Sequence, residues 1–92
     1  MELTFRGSFR RDYKAINDRQ LIRALKEKIN EMKKAKDPGR ISRFKRLRKF
    51  KRLCKTEVVT DSGKIYWVLG VLSGNRPELV RVKYEAYFKK RL

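Results

Sequence analysis

The sequence contains no histidine and a single cysteine, Cys54. Without an imidazole group, catalysis by a histidine triad or a histidine pair is excluded. One thiol cannot close an internal disulfide, and with no histidine beside it a structural zinc site lacks ligands. We therefore expect no metal and no cofactor. The cysteine usage also fits a reducing compartment, the cytoplasm.

The sequence also lacks a long apolar run and a signal-peptide pattern, and it has few acidic residues. The first two absences predict a cytoplasmic chain with no membrane partner. Ten acidic residues stand against 27 basic ones, so the net charge is +17. Such a surplus repels itself and attracts polyanions such as RNA. Forty per cent of the residues are hydrophobic, which is enough to form a core, and 92 residues predict one domain, residues 1–92.

The hydrophobic periodicity predicts a strand followed by two helices. Leu3 and Phe5 alternate with polar residues, which is typical of a short strand. Ser8 is the expected N-cap of a first helix, and Asn17-Asp18 is the expected break and cap before a second helix that reaches about Lys36. Because almost no linker separates the two helices, we expect a helical hairpin.

The next segment, residues 40–55, carries nine basic residues and no acidic one. Its apolar residues Ile41, Phe44, Leu47 and Phe50 recur every three positions, which permits a short helix with one buried face and positive charge elsewhere. We expect the segment to contact the RNA backbone. The residues expected to do so are Arg43, Lys45, Arg46, Arg48, Lys49, Lys51 and Arg52.

Three further strands are expected near residues 56–60, 64–72 and 79–82, with a short C-terminal helix over 84–91. Asp61-Ser62-Gly63 and the segment 73–77 are turn sequences, so the strands should form an antiparallel meander. The predicted fold class is α+β: an N-terminal strand, a helical hairpin and a three-strand meander in one sheet with the helices packed on one face, then the short C-terminal helix.

In this order the segments LTFRGSFRRDYKAI, LIRALKEKINEMKKAKDP, RFKRL, DSGKIYWVLGV and LVRVKYEAYFKKRL resemble the RelE/ParE toxin superfamily. The resemblance covers nearly the whole chain. It implies a toxin of a type II toxin–antitoxin system with a cognate acidic antitoxin as partner. In the RelE branch it further implies a ribosome-dependent endoribonuclease, whose partners are mRNA and ribosomal RNA.

The resemblance also implies four catalytic residues. Lys55 retains one of the basic positions of the family's first meander strand. Lys64 is the nearest match to the arginine in the family's Gly-x-Arg-Ile, although a shifted register places Tyr66 there. At the C-terminus the family has an arginine, three residues and a tyrosine, and Lys83 and Tyr87 occupy these two positions.

Metal-independent RNA cleavage proceeds by attack of the adjacent 2′-hydroxyl, and it needs a base, an acid and cations that stabilise the transition state. Tyr87 and a lysine made less basic by neighbouring cations are the candidates for proton transfer. Tyr87 has a competing interpretation, in which it only packs the C-terminal helix against the sheet. For Trp67 we favour core packing over stacking on a base. Two other functions stay open: a ParE-like inhibitor of DNA gyrase, and a non-catalytic basic protein that binds RNA or the ribosome.

Overall fold

The computed structural model describes residues 1–50 and 52–90. Its elements are β1 (Thr4–Phe5), α1 (Gly7–Lys14), α2 (Arg19–Lys34), a 3-10 turn (Pro38–Arg40), β2 (Phe44–Arg46), β3 (Leu53–Val59), β4 (Ile65–Ser73), β5 (Arg76–Tyr84) and α3 (Glu85–Lys89). Within these residues the five strands form one sheet in the order β1-β5-β4-β3-β2. Strand β1 runs parallel to β5, and the other neighbours are antiparallel. The predicted α+β fold class is confirmed.

The sheet has two different faces, because side chains alternate along each strand. Helices α1 and α2 cover the helix face and enclose the main core of Phe9, Leu21, Leu25, Met32, Ile41, Val58, Val68, Leu79 and Val82. Neither of these helices covers the opposite face, which we call the open face. Among its residues are Lys45, Lys55, Glu57, Trp67, Leu69, Arg81 and Lys83. Helix α3 packs here through Phe88, which joins a smaller apolar cluster with Trp67 and Leu69.

Of the two predicted helix N-caps, one is observed and the other is not. The Asp18 side chain caps α2 as predicted, accepting hydrogen bonds from the backbone N–H groups of Gln20 and Leu21. The prediction for Ser8 is wrong, because α1 begins at Gly7 and its N-cap is Arg6, two residues before Ser8. The Ser8 hydroxyl instead donates to the carbonyl oxygen of Val80 at 2.6 Å and thereby ties α1 to β5.

The short helix that the periodicity permits within residues 40–55 does not form in the described residues. After the 3-10 turn the chain forms β2, which pairs with β3 in the register Phe44↔Thr56. A helix here would set like charges three and four residues apart, which is unfavourable. The apolar residues divide between the two sides of the sheet: Phe44 packs on the main core, Leu47 on the smaller cluster, and Phe50 is exposed.

A β-bulge between Leu69 and Gly70 of β4 shifts the register of β5 by one residue. Leu69 pairs with Arg81, whereas Gly70 pairs with Leu79, so β5 carries one extra residue at this point. A Cβ atom on Gly70 would lie 3.1 Å from the carbonyl oxygen of Glu78, which explains the glycine. Leu79 faces the helices, and unbroken alternation would also turn Arg81 toward them. The bulge therefore brings Arg81, and Lys83 after it, to the open face.

Of the helices in the described parts of the chain, none has the length and apolar character needed to cross a bilayer.

Candidate functional site

Two rows of side chains cross the open face at right angles to the strands. The register of β2 to β5 places Lys45, Lys55, Leu69 and Arg81 in the first row. The second row contains Glu57, Trp67 and Lys83. The open face thus combines four cations with one tryptophan and one carboxylate, although these residues span almost 40 positions of sequence.

Lys55 lies at the centre of this face and is only 9% exposed. Its Nζ lies 3.5 Å from the centroid of the Trp67 ring and 3.2 Å from Glu57 Oε2. The Glu57 carboxylate also pairs with Arg43, at 3.5 Å. A buried ammonium needs such partners, since removing a charge from water is unfavourable. The contacts hold Lys55 in one place beneath the surface of the site.

Lys83 and Tyr87 meet at the edge of the same face. Lys83 Nζ lies 5.5 Å from the centroid of the Tyr87 ring. Tyr87 packs edge-on against Phe88, and Phe88 stacks on Trp67 with the ring centroids 5.6 Å apart. Because Lys55 lies over the same Trp67 ring, the fold links three of the four expected catalytic residues through one aromatic cluster.

Arg81 is a member of this site that the sequence reasoning missed. Its Cζ lies 5.6 Å from the centroid of the Tyr87 ring. The hydrogen bond to Asp12 raises the pKa of Arg81; burial opposes this, and the charge of Asp12 and the neighbouring Tyr87 hydroxyl act in the same direction as the hydrogen bond. Alternation along β5 places Arg81 on the same side of the strand as Lys83, but the pairing with β4 decides which face of the sheet that side joins.

Asp12, on α1, was missed as well, and it is 8% exposed. Its Oδ2 accepts hydrogen bonds from Arg81 Nε at 2.7 Å and from the backbone N–H of Val82 at 3.1 Å. Its Oδ1 accepts from Arg81 Nη2 at 3.3 Å and lies 3.4 Å from Lys83 Nζ. Burial alone would raise the pKa of Asp12, but the hydrogen bonds from Arg81 and Val82 and the charges of Arg81 and Lys83 outweigh it, so the pKa lies below its ordinary value.

Lys64 does not join the cluster. It lies in the turn before β4, where its backbone N–H donates to Thr60 Oγ1 at 3.2 Å, and its side chain is exposed. Alternation places Lys64 on the side of the sheet opposite to Trp67. The alternative residue at this family position, Tyr66, also lies toward the helix face, where it packs on Tyr84 with ring centroids 5.4 Å apart.

The predicted RNA-binding residues that the structure describes lie in and beside β2 and the residues that follow it; we call residues 44–50 and 52 the basic hairpin. Among the described residues of this set all are exposed, namely Arg43, Lys45, Arg46, Arg48, Lys49 and Arg52; Lys51 lies outside the described residues. Lys45 faces Lys55 on the open face, whereas Arg46 pairs with Cys54 and points to the other side. Arg43 has φ 58°, which turns the chain into β2. The hairpin thus carries positive charge on both sides of the sheet edge.

Cys54 is not placed for nucleophilic chemistry. It is 3% exposed on the helix face, and burial raises the pKa of its thiol to about 11. A thiol in that state holds its proton at neutral pH and is a poor nucleophile. Its position agrees with a packed strand residue.

By its chemistry, the open face offers cations for a phosphate group and a phenol for proton transfer. Trp67 and Phe88 are buried against each other, as expected of core residues, and do not present their rings to a base. Searches with this chain find no matching protein-family model, no matching curated protein and no matching solved structure.

Proposed function

We propose that this protein is a RelE-like toxin that cleaves translated mRNA by metal-independent attack of a 2′-hydroxyl group. The observation that carries the proposal is the convergence of Lys55, Lys83 and Tyr87 with Arg81 on one sheet face. The four residues come from two strands and a helix, and nothing in core packing requires two cations beside a tyrosine and a third over the adjoining tryptophan. Phosphate cleavage does require such a group of residues.

The roles follow from the chemistry of each side chain. Tyr87 exchanges protons with the attacking hydroxyl or the leaving oxygen, because a phenol can act as acid and base when cations surround it. Arg81 grips the scissile phosphate through its planar guanidinium, and Lys83 adds a point charge beside it. Lys55 stabilises negative charge from beneath the site. Removing one such cation is expected to lower the rate by about 10²–10³-fold.

The basic hairpin supplies affinity rather than chemistry. Its exposed cations contact the backbone of ribosomal RNA and mRNA, which is an ionic, salt-sensitive interaction. This function belongs in the cytoplasm, where mRNA is translated. The surplus of 17 positive charges also suits an acidic antitoxin as the partner that inactivates the toxin.

A non-catalytic RNA- or ribosome-binding function is the second candidate, and one observation favours it. Carboxylates already neutralise much of the open face: Asp12 contacts Arg81 and Lys83, and Glu57 contacts Lys55 and Arg43. In this candidate the ion pairs stabilise the sheet and the basic hairpin does the binding.

Brief expression in cells, with mapping of mRNA 5′ ends across translated genes, separates these functions. New cuts that disappear when translation is blocked are the expected result. Lys83→Ala and Tyr87→Phe should abolish the cuts while the proteins still bind ribosomes. Arg76→Ala is the matched control, because Arg76 is an exposed cation at the far end of the same strand, β5. Growth arrest without cuts would reject the enzyme, and DNA damage signalling without translation arrest would identify gyrase as the target.

A further inference from the structure

Asp12 is a buried carboxylate that bridges α1 to the open face, and the proposed reaction gives it no direct role. All four of its contacts go to three consecutive residues of β5, namely Arg81, Val82 and Lys83. Buried carboxylates are unfavourable unless they are fully paired, as this one is. Its position calls for an explanation that includes both the sheet and the site.

The first part of the explanation is the sheet edge. Strand β1 is only two residues long and pairs with Glu78 and Leu79 of β5. Beyond that point β5 is an edge strand, and Asp12 Oδ2 takes the place of a strand partner for the Val82 N–H. A single hydrogen-bond acceptor, such as an asparagine or serine side chain, would be enough to pair the Val82 N–H, so this contact alone does not explain a carboxylate.

The second part is the orientation of two cations. Asp12 accepts from Nε and Nη2, so it holds the side edge of the Arg81 guanidinium. The end edge, formed by Nη1 and Nη2, is then the edge that can turn toward an anion at Tyr87. Oδ1 also lies 3.4 Å from Lys83 Nζ, and both cations lie about equally far from the Tyr87 ring, at 5.6 and 5.5 Å.

We propose that Asp12 is a positioning residue, whose carboxylate fixes Arg81 and Lys83 around Tyr87 for the cleavage step. It touches neither RNA nor the reacting atoms. Long cationic side chains lose conformational freedom when they are held in one geometry, and a side chain fixed before the substrate arrives need not lose that freedom during the reaction. The inference rests on the proposed function, since it concerns the same site.

The test uses Asp12→Asn, which keeps the size of the side chain and an oxygen acceptor for Val82 but removes the charge. Glu78→Gln is the matched control. Glu78 also pairs with an arginine on the edge of β5, with Oε1 2.6 Å from Arg6 Nη2, but it lies outside the site. Single-turnover cleavage and binding are measured separately on ribosomes programmed with mRNA.

We expect Asp12→Asn to slow the cleavage step by about 10- to 100-fold, the effect of a small misplacement of reacting groups. Its affinity for the programmed ribosome should be unchanged or higher, because a negative charge near the RNA is gone. Glu78→Gln should match the wild type in both. A folded Asp12→Asn protein that cleaves at the wild-type rate overturns the proposal, as does a loss confined to affinity.

Two further measurements keep failure of the inference distinct from failure of the proposed function. If Asp12→Asn does not fold, Asp12→Glu replaces it, since it keeps the charge but displaces the carboxylate; a wild-type cleavage rate in that variant overturns the proposal. If the wild type itself does not cleave RNA, the proposed function fails. In that case ¹⁵N relaxation of Arg81 Nε tests whether Asp12 fixes the Arg81 side chain. A rigid group in the wild type that becomes mobile in Asp12→Asn supports it, and equal mobility in both overturns it.

Discussion

Replacing Lys55 by methionine tests whether the ammonium at the centre of the open face is held by its contacts. Methionine keeps the apolar stem and removes the charge 3.5 Å from the Trp67 centroid. With Lys55 only 9% exposed, the cation–π contact should contribute about 1–2 kcal/mol, toward the upper part of the usual range. Glu57 loses one partner and keeps Arg43, which adds about 0.5–1 kcal/mol. In the opposite direction, the variant no longer places a like charge opposite Lys45, which stabilises the fold by about 0.2–1 kcal/mol.

These contributions predict that Lys55→Met lowers the free energy of unfolding by about 1–2 kcal/mol. Urea denaturation should then show a midpoint about 1 M lower. Trp67 is the only tryptophan and lies under the substituted side chain, so its fluorescence is a suitable probe.

Lys45→Met is the matched control, because it makes the same change in the same row of the sheet at an exposed lysine. Its free energy of unfolding should stay within about 0.5 kcal/mol of that of the wild type. If Lys55→Met were as stable as the wild type, or if both variants changed equally, the assignment of Lys55 to a structured cation site would be refuted.

Three other outcomes are expected. The pKa of Glu31 lies below its ordinary value of 4.5, because hydrogen bonds from Ser42 and Lys28 outweigh the opposite effect of burial, and the pKa of Asp12 lies below 3.8. These two carboxylates therefore contribute their full stability above their ordinary pKa values, and this stability is lost as the pH falls through the lowered pKa values. When the pH is lowered from 6, the urea midpoint of the double variant Asp12→Asn/Glu31→Gln should fall less than that of the wild type. Lys64→Ala should cleave mRNA at the wild-type rate in the 5′-end assay, whereas a loss equal to that of Lys83→Ala would contradict the placement of Lys64 outside the site. Serine at Arg48, Lys49 and Arg52 should reduce the slope of log affinity for RNA against log salt by about 2, and an unchanged slope would exclude the basic hairpin from RNA binding.

The parts of the fold that were predictable depend on neighbours in sequence. Helix α2 is an example, because a capping side chain at Asp18 and a periodic apolar face are both local features. The hairpin turns at Gly63 and Gly74 are others, since both residues have positive φ, which favours glycine. Strand β2 was missed because the apolar residues around it recur every three positions, as in a helix, whereas its pairing with β3 joins residues about ten positions apart.

The sequence by itself predicted the α+β fold class, and its resemblance to a known family pointed to Lys55, Lys83 and Tyr87, which the fold connects through one aromatic cluster. Only the tertiary structure decided that Arg81 and Asp12 belong with them. Asp12 and Arg81 lie 69 residues apart, and they meet because α1 packs along an edge that the short β1 leaves uncovered. Arg81 reaches the open face because the bulge at Gly70 changes the phase of β5. Register and packing between distant segments set both features, and neither is encoded in the local periodicity of the chain.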